Sequence, residues 1–173
     1  MQKKFSYPLK IADLKQNEYK FLLDADAAEL VDISEILQVE KAYYFKAEIK
    51  VRPNIREHML RVWGTVQAEL ELQSVISLRN FRQKYDVPFE LFFDTKASYN
   101  DIREMAADIN ADVPDVVENG TINLADIALE QIALQIDDYP RAKGEVFEFK
   151  SPASDNTNDA PQNPFAVLQK LKK

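Results

Sequence analysis

Residues 60–79 read LRVWGTVQAELELQSVISLR. Leu60, Val62, Gly64, Val66, Ala68, Leu70, Leu72, Ser74, Ile76 and Leu78 fall on one side of an extended chain. Arg61, Trp63, Thr65, Gln67, Glu69, Glu71, Gln73, Val75, Ser77 and Arg79 fall on the other. Successive side chains of a strand point to opposite faces, so the run describes a sheet with one apolar and one polar face. The alternation outlasts an ordinary strand of about 5–6 residues. A bend or break is therefore expected, at Gly64 or around Gln73–Ser74.

The flanking segments share this period. In YFKAEIKV (44–51), Phe45, Ala47, Ile49 and Val51 alternate with Lys46, Glu48 and Lys50, and Pro53-Asn54 signals a turn. In DVPFELFFD (86–94), Val87, Phe89, Leu91 and Phe93 share one side. Such polar-out strands suit an antiparallel sheet with one solvated face, either open or closing towards a barrel.

Two shorter strands are expected around Phe5–Leu9 and Tyr19–Leu23. A helix is expected to start at Asp24 or Asp26, carry Leu30, Ile33, Ile36 and Leu37, and end near Gln38. Further on, ENGTINLADIALEQIALQI (118–136) opens with an Asn-Gly turn signal. A second helix follows from about Leu124, with Asn123 as its cap and Asp126 in its first turn. Leu124, Ile127, Ala128, Ile132, Leu134 and Ile136 give it a broad apolar surface, expected to lie across the sheet and close the core. The fold class is α+β, a mostly antiparallel sheet with a few packed helices and a flexible C-terminal tail.

The expected organisation is a single domain over 1–150, a polar linker over 151–162 and a short amphipathic helix over 163–173. In that last segment Asn163 caps and Pro164 suits the first turn. Phe165, Leu168 and Leu171 recur on one face, with Lys170, Lys172 and Lys173 near the helix end. So short a helix does not hold by itself in water. It is expected to dock, and a partner is favoured over the domain's own surface.

With 173 residues, 46% hydrophobic and 29% charged, the chain has a globular balance. There is no cysteine, which excludes disulfides, thiolate metal sites and thiol catalysis. Neither a signal-type apolar run near the start nor a membrane-span-length stretch occurs, so a cytoplasmic location without membrane contact is expected. His58 is the lone histidine and reads as a surface or turn residue. The three glycines, Gly64, Gly120 and Gly144, form no phosphate-cradling loop. No serine sits in a nucleophile elbow. From Asp101 to Glu118 six carboxylates face one arginine, in a spacing that fits a solvated acidic surface better than a cation loop. The residues imply no metal, no cofactor and no catalytic group, and the chain is expected not to be an enzyme.

The net charge of -7 argues against a protein coated in base, yet the middle of the chain is basic. Lys50, Arg52, Arg56, Arg61, Arg79, Arg82 and Lys84 are opposed there by Glu57, Glu69 and Glu71. By the alternation, Arg61 and Arg79 leave the same face as Trp63. Arginines with an exposed aromatic suit RNA, through phosphate contacts and stacking. The plain alternative is that they solvate a sheet face and pair with Glu69 and Glu71.

Three stretches resemble a known family. GTVQAELELQSVISLRNFRQKYDVPFELFFD (64–94) is similar to the strand–turn–strand core of the YceD family of large ribosomal RNA subunit accumulation proteins. NGTINLADIALEQIALQIDDYPR (119–141) is similar to its "I-D-L" helical segment, and NPFAVLQKLK (163–172) to its ending. The N-terminal half follows weakly. Many members carry a C-x-R-C turn. Here Ser77, Leu78, Arg79 and Asn80 stand in its place, or Ser74 where relatives have a single cysteine, so a thiol-based role does not transfer. The family's aspartate is Asn123 here, which still caps a helix.

The resemblance implies a non-enzymatic ribosome-biogenesis factor supporting accumulation or processing of large-subunit (23S) rRNA. The direct partner is expected to be that rRNA, its precursor or an assembling particle. Arg61, Arg79 and Arg82 are the leading contacts, with Arg52, Arg56, Trp63 and Lys84 beside them. The alternative is an acidic module that holds a basic large-subunit ribosomal protein. No oligomeric state is implied.

Overall fold

A computed structural model describes residues 5–97 and 114–147, leaving aside the side chain of Glu118. Its main element is a five-stranded sheet in the order β2-β3-β4-β5-β6, built from β2 (Tyr19–Asp24), β3 (Lys41–Asn54), β4 (Met59–Gln73), β5 (Asn80–Asp94) and β6 (Asp115–Val116). All pairings are antiparallel except the short β5–β6 pair. The sheet is open, with β2 and β6 at its edges, and the class is α+β. A second, two-stranded sheet pairs β1 (Pro8–Lys10) with β7 (Thr121–Asn123).

The long alternating run divides once. Leu60, Val62, Val66, Ala68, Leu70 and Leu72 are all buried along β4. The strand then ends at Gln73, because Ser74 closes a turn. The Ser74 backbone N–H donates to the Arg79 carbonyl at 3.0 Å, and the Leu78 N–H donates to the Ser74 carbonyl at 2.9 Å. Ser74 Oγ accepts from the Ile76 and Ser77 amides at 3.2 and 3.3 Å. Leu78 takes a positive φ of 58° and is left 69% exposed. The expected continuation of the alternation to Arg79 is thereby corrected: Val75 to Arg79 form the turn into β5.

Gly64 does not break the strand. A Cβ there would lie 1.9 Å from the Glu48 carbonyl oxygen, so the glycine permits β3 and β4 to approach in mid-strand. Pro88 lies within β5, where it pairs with Thr65 on β4. β6 meets β5 only at Phe93 and Asp94, so the outer edge of β5 near Pro88 needs no amide donor for that pairing.

Helix α1 (Ala27–Leu37) starts from a capping box. Asp26 Oδ1 accepts from the Ala28 and Glu29 amides, both at 2.9 Å, and the Asp26 amide donates to Glu29 Oε2. Gln38 ends the helix in the left-handed region, at φ 55°. Helix α2 (Leu124–Ala133) is capped by Asn123. Its Oδ1 accepts from Ala125 and from Tyr7, while its Nδ2 donates to Ser6 Oγ and Asp126 Oδ2. This one amide ties the N-terminal segment to the start of α2. Before β7 the chain turns through Asn119 and Gly120, both at positive φ, as the Asn-Gly signal implies.

Both helices and the small sheet bury their apolar residues with the inward residues of β2–β5 in one cluster. Ile33 comes from α1, Leu124, Ala128 and Ile132 from α2, and Phe5 packs edge-on against Phe45 at 5.5 Å. Helix α2 lies against β4 and β5, as expected of a helix that closes the core. Leu134 is the exception, 69% exposed just beyond the helix.

The chain divides into two units, 1–143 and 144–173. Of the second, 144–147 is described: Gly144 takes a positive φ, and Val146 and Phe147 are exposed. The proposed linker and the docking tail at Asn163, Pro164, Phe165, Leu168 and Leu171 lie outside the described residues. So does most of the acidic run, 101–113.

Candidate nucleic-acid interface

Among the described residues both helices pack on one face of the five-stranded sheet, and the other face is bare. The outward positions form cross-strand rows. Arg52, Arg61 and Phe92 make one row on β3, β4 and β5. Lys20, Lys50, Trp63 and Glu90 make the next. Leu22, Glu48, Thr65 and Pro88 follow. At the far end Tyr44, Glu69 and Lys84 form one row, and Glu71 faces Arg82.

This register separates the basic residues into two groups. Arg52 and Arg61 sit at the β3–β4 turn, beside Lys50 and the exposed turn residue Arg56. Arg79, Arg82 and Lys84 sit at the other end, at the start of β5. Arg61 and Glu71, the partner of Arg82, are ten residues apart on β4. At roughly 3.3 Å per residue the groups lie about 30 Å apart. They are one patch in the sequence and two in the fold.

The two groups differ in what their cations touch. Arg82 lays its guanidinium 3.8 Å from the centre of the Tyr43 ring, and the Tyr43 hydroxyl donates to Glu71 Oε1 at 3.2 Å. Tyr43 reaches this position because the β3–β4 register shifts between Ala42 and Tyr44. Lys84 faces Glu69. Arg82 and Lys84 thus stand opposite Glu71 and Glu69, the carboxylates of the plain alternative, but no ion pair of Arg79, Arg82 or Lys84 occurs among the described residues.

At the β3–β4 turn, Arg61 Nε donates to Glu90 Oε1 and its guanidinium lies 4.6 Å from the Trp63 ring. Trp63 is half-buried, and Phe92 opposite Arg61 is 46% exposed. Arg52 has no ion-pair partner among the described residues. A cavity of about 360 Å³ opens here, lined by Gln16, Arg52, Pro53, Asn54, Glu57, Met59, Arg61 and Phe92. Beside it, the middle of the sheet forms a shallower concavity whose walls include Leu22, Lys46, Glu48, Lys50, Trp63 and Thr65.

Ion pairs tie down the middle of the face. Lys20 Nζ meets Glu48 Oε1 at 2.9 Å, and Lys46 Nζ meets Asp24 Oδ2 at 2.9 Å. The hydrogen bond from Lys20 holds the Glu48 carboxyl below its usual range, opposed by desolvation and aided by the positive charges of Lys20 and Lys50.

His58 lies in the β3–β4 turn at φ 55°, and its carbonyl accepts from both the amide and the hydroxyl of Thr95 at 2.8 Å. Among the described residues no cluster of three His, Asp or Glu side chains is placed to hold a metal ion. No described helix is long and apolar enough to cross a membrane.

Of the residues singled out from sequence, the fold thus brings Arg52, Arg61 and Trp63 together with Arg56 nearby, and sets Arg79, Arg82 and Lys84 apart. Phe92 and Tyr43 were not singled out. Phe92 was legible as the outward residue between Leu91 and Phe93. Tyr43 was not, because its position depends on a register shift.

The arrangement defines an α+β protein whose sheet has one face packed and one that no described helix covers, with cations and aromatic rings at a corner of that second face. The profile of the large ribosomal RNA subunit accumulation protein YceD matches residues 62–172, and the chain belongs to that family. The match begins within β4, so β1–β3 and α1 precede it. The family's description supports a general role in ribosome biogenesis. Neither the curated proteins nor the solved structures contain a significant match to this chain.

Proposed function

We propose that this protein is a non-enzymatic cytoplasmic factor that supports accumulation or processing of large-subunit (23S) rRNA by binding the precursor rRNA or an assembling particle. The observation that carries this reading is the sheet face at the β3–β4 turn, which no described helix covers. Lys50, Arg52, Arg56 and Arg61 lie there beside Trp63 and Phe92, and Arg52 has no acidic partner among the described residues. Guanidinium groups meet phosphates, and rings accept unpaired bases. The net charge of -7 limits indiscriminate attraction to polyanions, leaving a local patch to act. Arg79, Arg82 and Lys84, about 30 Å away by the rise of a strand, are a secondary contact for the same extended RNA.

Depletion of the protein in its own cells, followed by measurement of mature and precursor large-subunit rRNA, tests the role. The expected result is a fall in mature rRNA or a build-up of precursor, with small-subunit rRNA less affected. Unchanged levels of both contradict it. Capture of the tagged protein before and after nuclease treatment tests the mode. Partners lost with the RNA support direct RNA contact. A basic ribosomal protein retained after nuclease supports the alternative, a holding module.

A further inference from the structure

The β3–β4 corner offers more than charge. Arg52 and Arg61 face each other directly across the strand pair, an arrangement that repels unless an anion or carboxylate lies near. Arg61 has its carboxylate, Glu90, and its guanidinium lies 4.6 Å from the Trp63 ring. Arg52 has none among the described residues. The cavity beside them is of about 360 Å³, at the small end of the ~300–1,000 Å³ range of ligand pockets.

Its lining divides by chemistry. Phe92, Met59 and Pro53 supply an apolar surface that includes one exposed ring. Gln16, Asn54 and Glu57 supply amide and carboxylate groups, with Asn54 Nδ2 already donating to Glu57 Oε2 at 2.6 Å. An aromatic face, hydrogen-bonding groups at its margin and, on one side, a guanidinium with no ion pair among the described residues are the three elements that a nucleotide engages, by ring, base edge and phosphate.

We infer that this cavity is a pocket for a single unpaired nucleotide of an RNA strand, its base against Phe92 and its phosphate on Arg52, with Arg61 fixed as the neighbouring wall. The pocket rests on the reading of the bare face as an RNA surface and specifies its ligand. A base held in a duplex does not present its face to the ring, so the site selects single-stranded or looped RNA.

The test uses the full chain and a fluorescently labelled 12-nucleotide single-stranded RNA, alone and annealed to its complement, at fixed salt. The single strand is expected to bind more tightly than the duplex. Phe92→Ala is expected to weaken the single strand by roughly 5- to 150-fold, the span of one base–aromatic stack, and to leave the duplex unchanged. Phe92→Trp is expected to retain the preference. Trp63 is the only tryptophan, so its emission in the wild-type protein gives a readout that needs no variant. It is expected to change with the single strand and not with the duplex. The pocket is overturned, and the broader RNA reading kept, if Phe92→Ala binds the single strand as wild type does while Arg52→Glu/Arg61→Glu still weakens it. Absence of RNA binding by the wild-type chain overturns both.

Discussion

The two faces of β4 are made by neighbouring residues and do different work. Leu60, Val62, Val66, Ala68, Leu70 and Leu72 are buried in the core cluster, where α2 lies against β4. Arg61, Trp63, Thr65, Gln67, Glu69 and Glu71 stand on a face that no described helix covers. The inner face repeats one chemistry along its whole length, whereas the outer face changes along the strand. At its far end Tyr43 links Glu71, through its hydroxyl, with Arg82, through its ring. The corner at the β3–β4 turn keeps an arginine without an ion-pair partner among the described residues, and an exposed ring. The inner side accounts for stability, and the proposed function places recognition at one end of the outer side.

Substitutions break or sharpen that division, beginning with the inner face. Phe45→Ala empties a fully buried site against Phe5 and is expected to cost about 3–5 kcal/mol, lowering Tm by roughly 10 °C. Gly64→Ala forces β3 and β4 apart at the Glu48 carbonyl. By comparison with overpacked cores its expected cost is about 1–3 kcal/mol, read by chemical denaturation. Asn123→Ala removes a helix cap and the tie to Tyr7 and Ser6, for about 1 kcal/mol in the same measurement.

On the outer face Arg52→Ala is expected to change stability by less than about 0.5 kcal/mol, as for other exposed positions away from packing features. A destabilisation approaching that of Gly64→Ala would contradict the division. The smallest effect concerns protons. The carboxyl of Glu48 is held below its ordinary value of 4.5, so the folded state favours its charged form. That contribution is fully present above about pH 4.5 and disappears as pH falls through the depressed folded value. Lys20→Ala is expected to move the Glu48 titration upward in an NMR pH series, and an unchanged midpoint would exclude Lys20 as the main cause.

The layout of the sheet was legible because burial imposes a strict period of two. β4 was read almost residue for residue, and Gln73–Ser74 was named as a breaking place. The start of β5 was missed: its inward residues include Gln83, and its outward ones, Arg82, Lys84 and Asp86, follow no apolar signal. The capping residues were legible because Asp26 and Asn123 act locally in sequence. At the candidate site the residue types were legible and their grouping was not. Arg61, Arg79 and Arg82 look contiguous until strand register sets Arg61 against Arg52 and Phe92, and Arg82 against Glu71. Register is a long-range property, and the shift that turns Tyr43 towards Arg82 has no signature in the local pattern.

The central claim, that the β3–β4 corner meets large-subunit rRNA, is tested most directly by a salt titration of binding. The full-length protein and its Arg52→Glu/Arg61→Glu variant are titrated against a fragment of the rRNA precursor. The wild type is expected to show log affinity falling linearly with log salt. The variant is expected to bind more weakly, with a slope reduced by roughly 0.7 for each phosphate of single-stranded RNA that it no longer neutralises. Equal affinities for the two proteins at low salt would contradict the account.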